Sequence, residues 1–209
     1  MFIYGRTIET SGEMDVIIPI AREVKQVVDS LGATMSVWAG GAGYRAGTLV
    51  FTTPYETLAQ RDEVGAKMAT SKDFWNVLRK TQPHIRQWEP DVMVNIVKMG
   101  SAGPSPVGTQ LANFTTRLAQ GADFIQALQF TLEMAELNEK LTGVPSAVGY
   151  TIFGELGQIS SFTAFANGAA ADAARNAQLA DPTWLPKFAS GAKFVEAGTG
   201  ISRQLTKIA

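Results

Sequence analysis

Apolar residues recur along this chain at two periods, one suited to strands and one to helices, and the switches between them mark out the elements. Residues 2–9 alternate as a half-buried strand does. From Ser11 and Gly12, with Glu13 and Asp15 in a first turn, apolar Ile17, Ile20, Val24, Val27 and Leu31 follow at spacings of three and four. That pattern predicts an amphipathic helix, and Gly32 stands where a left-handed cap would end it. Pro19 falls early enough for the first turns to absorb it. Residues 33–39 and 48–53 are β-rich and joined by Gly40-Gly41-Ala42-Gly43, which reads as a hairpin. Residues 55–68 and 73–80 read as helices, and after Pro83 and Pro90 a strand over 92–97 closes the unit.

The same order then returns. Residues 110–118 read as a strand, and Asp123 opens a helix whose Ile125, Leu128, Leu132 and Ala135 match Ile17, Ile20, Val24 and Val27. Residues 147–153 and 158–163 flank Gly154-Glu155-Leu156-Gly157 as a second hairpin. An alanine-rich helix over 169–179, a short helix after Asp181 and a strand over 200–208 complete the copy. Particular residues recur as well. Thr53-Pro54-Tyr55 with Ala59 and Asp62 returns as Thr163-Ala164-Phe165 with Ala169 and Asp172, and Trp75 returns as Trp184. A repeat of this length indicates a duplicated domain rather than a solenoid unit.

Each half is expected to be a ferredoxin-like β-α-β-β-α-β unit, with residues 1–99 the first, 100–107 a linker and 108–209 a second, degenerate copy. One such sheet, with helices on one face only, leaves its other apolar face in water. Two copies cover each other, which predicts an α+β fold of two sheets packed face to face about a pseudo-twofold axis as an eight-stranded barrel.

Composition narrows the classes of function. A net charge of -1 gives no electrostatic ground for nucleic acid or an anionic membrane as partner. With no cysteine there is no thiolate nucleophile and no Cys-ligated metal site. No apolar run reaches a membrane-spanning length, and residues 1–8 read as a strand rather than a signal peptide, so the default compartment is the cytoplasm. The first half holds 11 of the 18 Lys and Arg residues and 11 of the 19 Asp and Glu residues, which weights polar chemistry toward it.

The run Pro54-Tyr55-Glu56-Thr57-Leu58-Ala59-Gln60-Arg61-Asp62, followed by Ser71-Lys72-Asp73-Phe74-Trp75, resembles the helix-and-loop signature of NIPSNAP-like proteins. Trp38 and Gly43 also sit where that family has a Trp and a Gly. The resemblance implies the dimeric α+β barrel superfamily, shared with antibiotic-biosynthesis-monooxygenase-like domains, here as an intramolecular pair. It implies a small apolar or aromatic ligand and, for an enzyme, cofactor-independent oxygenation or isomerisation. An interaction or assembly module joined through the outer faces is the alternative, and haem binding a third. The haem-degrading members of the superfamily use an Asn, a Trp and a His; here Asn113 lies in the second copy, which has no His, and His84 does not match the axial position.

The candidate catalytic residues are His84, the one histidine, and Arg45, whose paired donors suit a carboxylate or enolate. Tyr4, Trp38, Tyr44 and Trp75 are the candidate ligand-binding residues. Each has a plainer role as an alternative: a surface histidine, a solvated hairpin tip for Tyr44 and Arg45, and packing anchors for the tryptophans. Gly41-Ala42-Gly43 lacks the following helix that a dinucleotide fingerprint requires. No metal site and no cofactor are called for, since a three-ligand catalytic zinc centre is hard to assemble from one His and no Cys.

Overall fold

The computed structural model describes residues 1–100 and 105–209. The expected linker at 100–107 therefore lies partly outside the described residues. Among those described, nine strands and six helices follow in the order β1 (Phe2–Thr10), α1 (Met14–Ser30), β2 (Ser36–Gly40), β3 (Thr48–Tyr55), α2 (Leu58–Thr70), α3 (Lys72–Thr81), β4 (Ile85–Trp88) and β5 (Val92–Lys98). Then come β6 (Gln110–Arg117), α4 (Phe124–Thr142), β7 (Ser146–Phe153), β8 (Gln158–Phe165), α5 (Gly168–Ala180), α6 (Trp184–Ser190) and β9 (Ile201–Lys207).

Helix ends follow local chemistry. Thr57 and Ser71 accept hydrogen bonds from the Gln60 and Phe74 amides (3.1 and 3.2 Å), capping α2 and α3, and Asp123 caps α4 through the Gln126 amide at 3.1 Å. Gly143, in the left-handed region, closes α4. Pro19 is accommodated inside α1, in its second turn. Of the buried stripe of α1, Ile17 and Ala21 pack on strand residues Ile8, Val37, Leu49 and Phe51, and Val28 packs with Tyr55, Val64 and Phe74.

The two halves share one strand plan. β5-β1-β3-β2 forms the sheet of the first half and β9-β6-β8-β7 that of the second, both antiparallel with the first strand inside. Two seams join them: β2 pairs with β9 (Trp38↔Lys207) and β5 with β7 (Val94↔Thr151). Together with the β1–β3 pairing, these seams close an eight-stranded barrel with helices outside. Closure leaves those eight strands no free edge. Inside, Trp38, Val50 and Leu205 form a buried cluster with Leu111 and Tyr44, drawn from both halves. The mutual cover expected of the two sheets is thus a shared lumen core.

The ninth strand, β4, pairs with the second part of β1 (Ile8↔Trp88), while β5 pairs with the first part (Gly5↔Val92). Both lie along one side of β1 and meet at residues 89–91.

Candidate functional site

Alternation along β1 sends Tyr4, Arg6 and Ile8 to the helix side of the first sheet, and β3 sends Phe51, Thr53 and Tyr55 there too. Between this face and helices α1, α2 and α3 lies a cavity of about 400 Å³, within the size range of small-molecule sites. Its walls are mostly apolar, with Val24 and Val28 from α1, Met68 from α2, and Phe74 and Leu78 from α3. The space persists because α2 buries one residue, Val64, and carries Gly65 toward the opening, where a Cβ would meet nothing within 4 Å.

One polar cluster borders this cavity. Arg6 grips Asp91 with both arms of its fork, Nε to Oδ1 at 2.8 Å and Nη2 to Oδ2 at 2.6 Å. The Tyr4 hydroxyl donates to Asp91 Oδ2 and accepts from Arg6 Nη2 at 2.9 Å. The Trp88 ring lies under the guanidinium, 5.5 Å from centroid to Cζ. The strand plan explains the meeting: Arg6 lies between the β5 and β4 pairings of β1, so the turn at 89–91 brings Trp88 and Asp91 beside it. Arg61 and Asp62 of α2 also line the cavity and pair with each other at 2.8 Å.

Protonation follows from these contacts. Burial, aided by the bond to Asp91, pushes the Tyr4 phenol up to about 12. The hydrogen bonds to Asp91 raise the Arg6 pKa above its usual value, so it stays charged. Burial acts to raise the Asp91 carboxyl, but the bonds from Arg6 and Tyr4 outweigh it and hold it below its ordinary value. Tyr55 is also raised, by burial. At neutral pH the Tyr4 and Tyr55 phenols are therefore neutral, and Arg6 is a cation bound to the Asp91 carboxylate.

Of the residues singled out in the sequence, Tyr4 lines this cavity. Trp38 is buried in the barrel lumen, its Nε1 donating to Thr52 Oγ1 at 2.9 Å. Tyr44 packs against the same cluster, with the Arg203 guanidinium 5.0 Å from its ring centroid. Arg45 extends into solvent and reaches both Glu9 oxygens at 3.0 Å. Trp75 is half exposed, donates to the Ala69 carbonyl at 2.9 Å and stands edge-on to Phe74. His84 sits 3.5 Å from Glu13 and lines a separate void of about 10 Å³. The structure thus brings Tyr4 together with Arg6, Trp88, Asp91 and Arg61 rather than with the other five. The legible signal for Arg6 was its place two residues after Tyr4 on one strand face. No local pattern pointed to Asp91. Among the described residues, no group of three His, Asp or Glu side chains is placed to hold a metal ion.

The second half carries different residues at the matching place. The β1–β3 register pairs Tyr4 with Thr53 and Arg6 with Phe51, and the β6–β8 register pairs Ala112 with Thr163 and Phe114 with Ser161. Ala112 thus stands for Tyr4 and Phe114 for Arg6, while the β6–β9 pairing puts Ser202 opposite Phe114, in the place of Asp91. Phe114 packs on Phe188 of α6, and Phe124 meets Tyr150 edge-on. Phe114 thus puts an aromatic ring where the first half has the Arg6 guanidinium.

No family model matches the chain, and no curated protein matches it. Solved structures do. A provisionally assigned monooxygenase from Fusobacterium nucleatum superposes with a TM-score of 0.72 at 6% identity, covering 100% of this chain and 92% of its own. A second provisionally assigned monooxygenase, from Lactobacillus acidophilus, gives 0.68 at 8% identity over 99% and 93% of the two chains. An anthrone oxidase-like protein gives 0.67 at 13% identity over 100% and 91%. Identities this low carry the fold and no activity. The strand order, the two seams and these whole-chain likenesses agree: this chain has the dimeric α+β barrel fold, with both halves of the barrel in a single polypeptide.

Proposed function

We propose that this protein binds a small apolar or aromatic metabolite in the cavity of its first half. The observation that carries this reading is the cavity itself: about 400 Å³, walled by aliphatic and aromatic side chains, with one hydrogen-bonded polar cluster to fix a ligand's orientation. The apolar walls supply affinity by area removed from water, and the Tyr4–Arg6–Asp91 cluster supplies direction. The cluster's three positions hold Ala112, Phe114 and Ser202 in the second half, which supports placing the site in the first. For an enzyme, oxygenation or isomerisation without a cofactor is the matching reaction class, in line with the names carried by the monooxygenase and anthrone oxidase-like neighbours.

A second reading, assembly through the outer faces, draws on Leu185, Phe188 and Ile201, large apolar side chains exposed around α6 and β9. Blocking the cavity separates the two. Gly65→Phe places a ring in open space at the cavity wall without a backbone clash. The variant should fold with unchanged secondary structure and lose binding of 2-naphthol, followed by tryptophan fluorescence. Native mass spectrometry of protein from its own source should show a co-purified small molecule that the variant lacks. Unaltered naphthol binding in Gly65→Phe would rule the cavity out as the site.

A further inference from the structure

The polar cluster has an electrostatic property that deepens this reading and rests on it. Four charged side chains border the cavity or bond to those that do, and they cancel in pairs: Arg6 with Asp91 and Arg61 with Asp62. Two cations line the cavity and could receive an anion: Arg61, which holds Asp62 through its Nη1, and Arg6, whose Nε and Nη2 already end on Asp91. The Tyr4 hydroxyl spends its proton on the same carboxylate. A ligand carboxylate approaching Arg6 would lose its hydration without gaining that bidentate fork, with the Asp91 charge already on the guanidinium. An uncharged ligand meets neither cost.

We propose that Asp91 is a specificity-determining residue that makes the cavity select an uncharged ligand and reject the carboxylate of the same shape. Asp91 acts as a resident anion: it fills the site that Arg6 and Tyr4 would otherwise offer to an acid. This is specificity by repulsion, set by a residue whose charge acts against the wrong ligand. The chain's own second half lacks every part of the device, with Ala112, Phe114 and Ser202 in the three places.

Two probes of one shape test it, 2-naphthol, uncharged at neutral pH, and 2-naphthoate, which is ionised. The native protein should bind naphthol at least about tenfold more tightly than naphthoate, the size of effect that one charge-assisted hydrogen bond gives. Asp91→Asn keeps the volume and removes the charge. It should raise naphthoate affinity relative to naphthol by about tenfold or more, with an unchanged circular dichroism spectrum showing that the variant is folded. Adding Arg6→Met to that variant should abolish the gain. Equal or tighter naphthoate binding by the native chain, or an unchanged preference in Asp91→Asn, would overturn the assignment of Asp91 while leaving the cavity a binding site. Failure of both probes to bind, or binding insensitive to Gly65→Phe, would overturn the cavity reading and this one with it.

Discussion

Arg6 shows how one side chain can be fixed by partners distant in sequence. Its guanidinium is clamped between Asp91 and the Trp88 ring, and the Tyr4 hydroxyl completes the cluster. The cluster should weaken at both ends of the pH scale. Asp91 titrates below its ordinary value when folded, so its contribution is present above about 3.8 and is lost as pH falls through the depressed value. Tyr4 is raised, so its contribution is present below 10.0 and is lost as pH rises toward about 12. Ultraviolet titration should find one phenol ionising near 12 that disappears in Tyr4→Phe. A native chain whose four tyrosines all ionise near 10 would contradict the cluster. Both charges of the ion pair remain partly exposed, so solvent screening keeps its contribution to stability modest.

At the scale of elements, the helices and most strands were readable because each has one buried face, and a buried face imposes its period on the sequence. The period of α1 shows in Ile17, Val24 and Val28, and the turn chemistry of Gly154 and Gly157, both at positive φ, marks the β7–β8 hairpin. β4 did not show. Its four residues, Ile85 to Trp88, lie between two prolines and carry no alternation, because the strand is mostly exposed. The cluster at the cavity was half hidden for the same reason. Tyr4 and Arg6 share a strand face, but their partner Asp91 arrives by pairing across 85 residues, which no local pattern encodes. Trp38 drew notice as a large aromatic, and its burial in the lumen shows that size alone does not tell a cavity wall from a core anchor. Among connections, Ser71 has a double role, ending α2 and capping α3, which carries the cavity residues Phe74 and Leu78. Ser71→Ala should cost about 1 kcal/mol in urea unfolding, and Ser71→Gly only a few tenths. Naphthol affinity should fall along with stability in Ser71→Ala, since α3 forms a wall. Equal stability of Ser71→Ala and the native chain would show the cap to be idle.

At the scale of the whole molecule, each half ends where the other begins to pair. Separated from residues 108–209, the first half would lose β9 from the edge of β2 and β7 from the edge of β5, and would expose the lumen face around Trp38 and Val50. Open edges and an apolar face are templates for association. Residues 1–99 expressed alone should sediment as a dimer or larger species, and the whole chain should unfold in a single transition because the seams couple its halves. A stable, soluble monomer of residues 1–99, or two separate unfolding transitions for the whole chain, would contradict that coupling.

The difference between Arg6 and its counterpart Phe114 has a further consequence. A barrel assembled from two identical subunits must accept every substitution twice, once in each mirror position, so any change that improves a binding site also alters the scaffold opposite. A polypeptide that supplies both moieties escapes this constraint. One side can take on charges and an open hollow, while the other keeps a phenylalanine at the matching position and answers only to the scaffold.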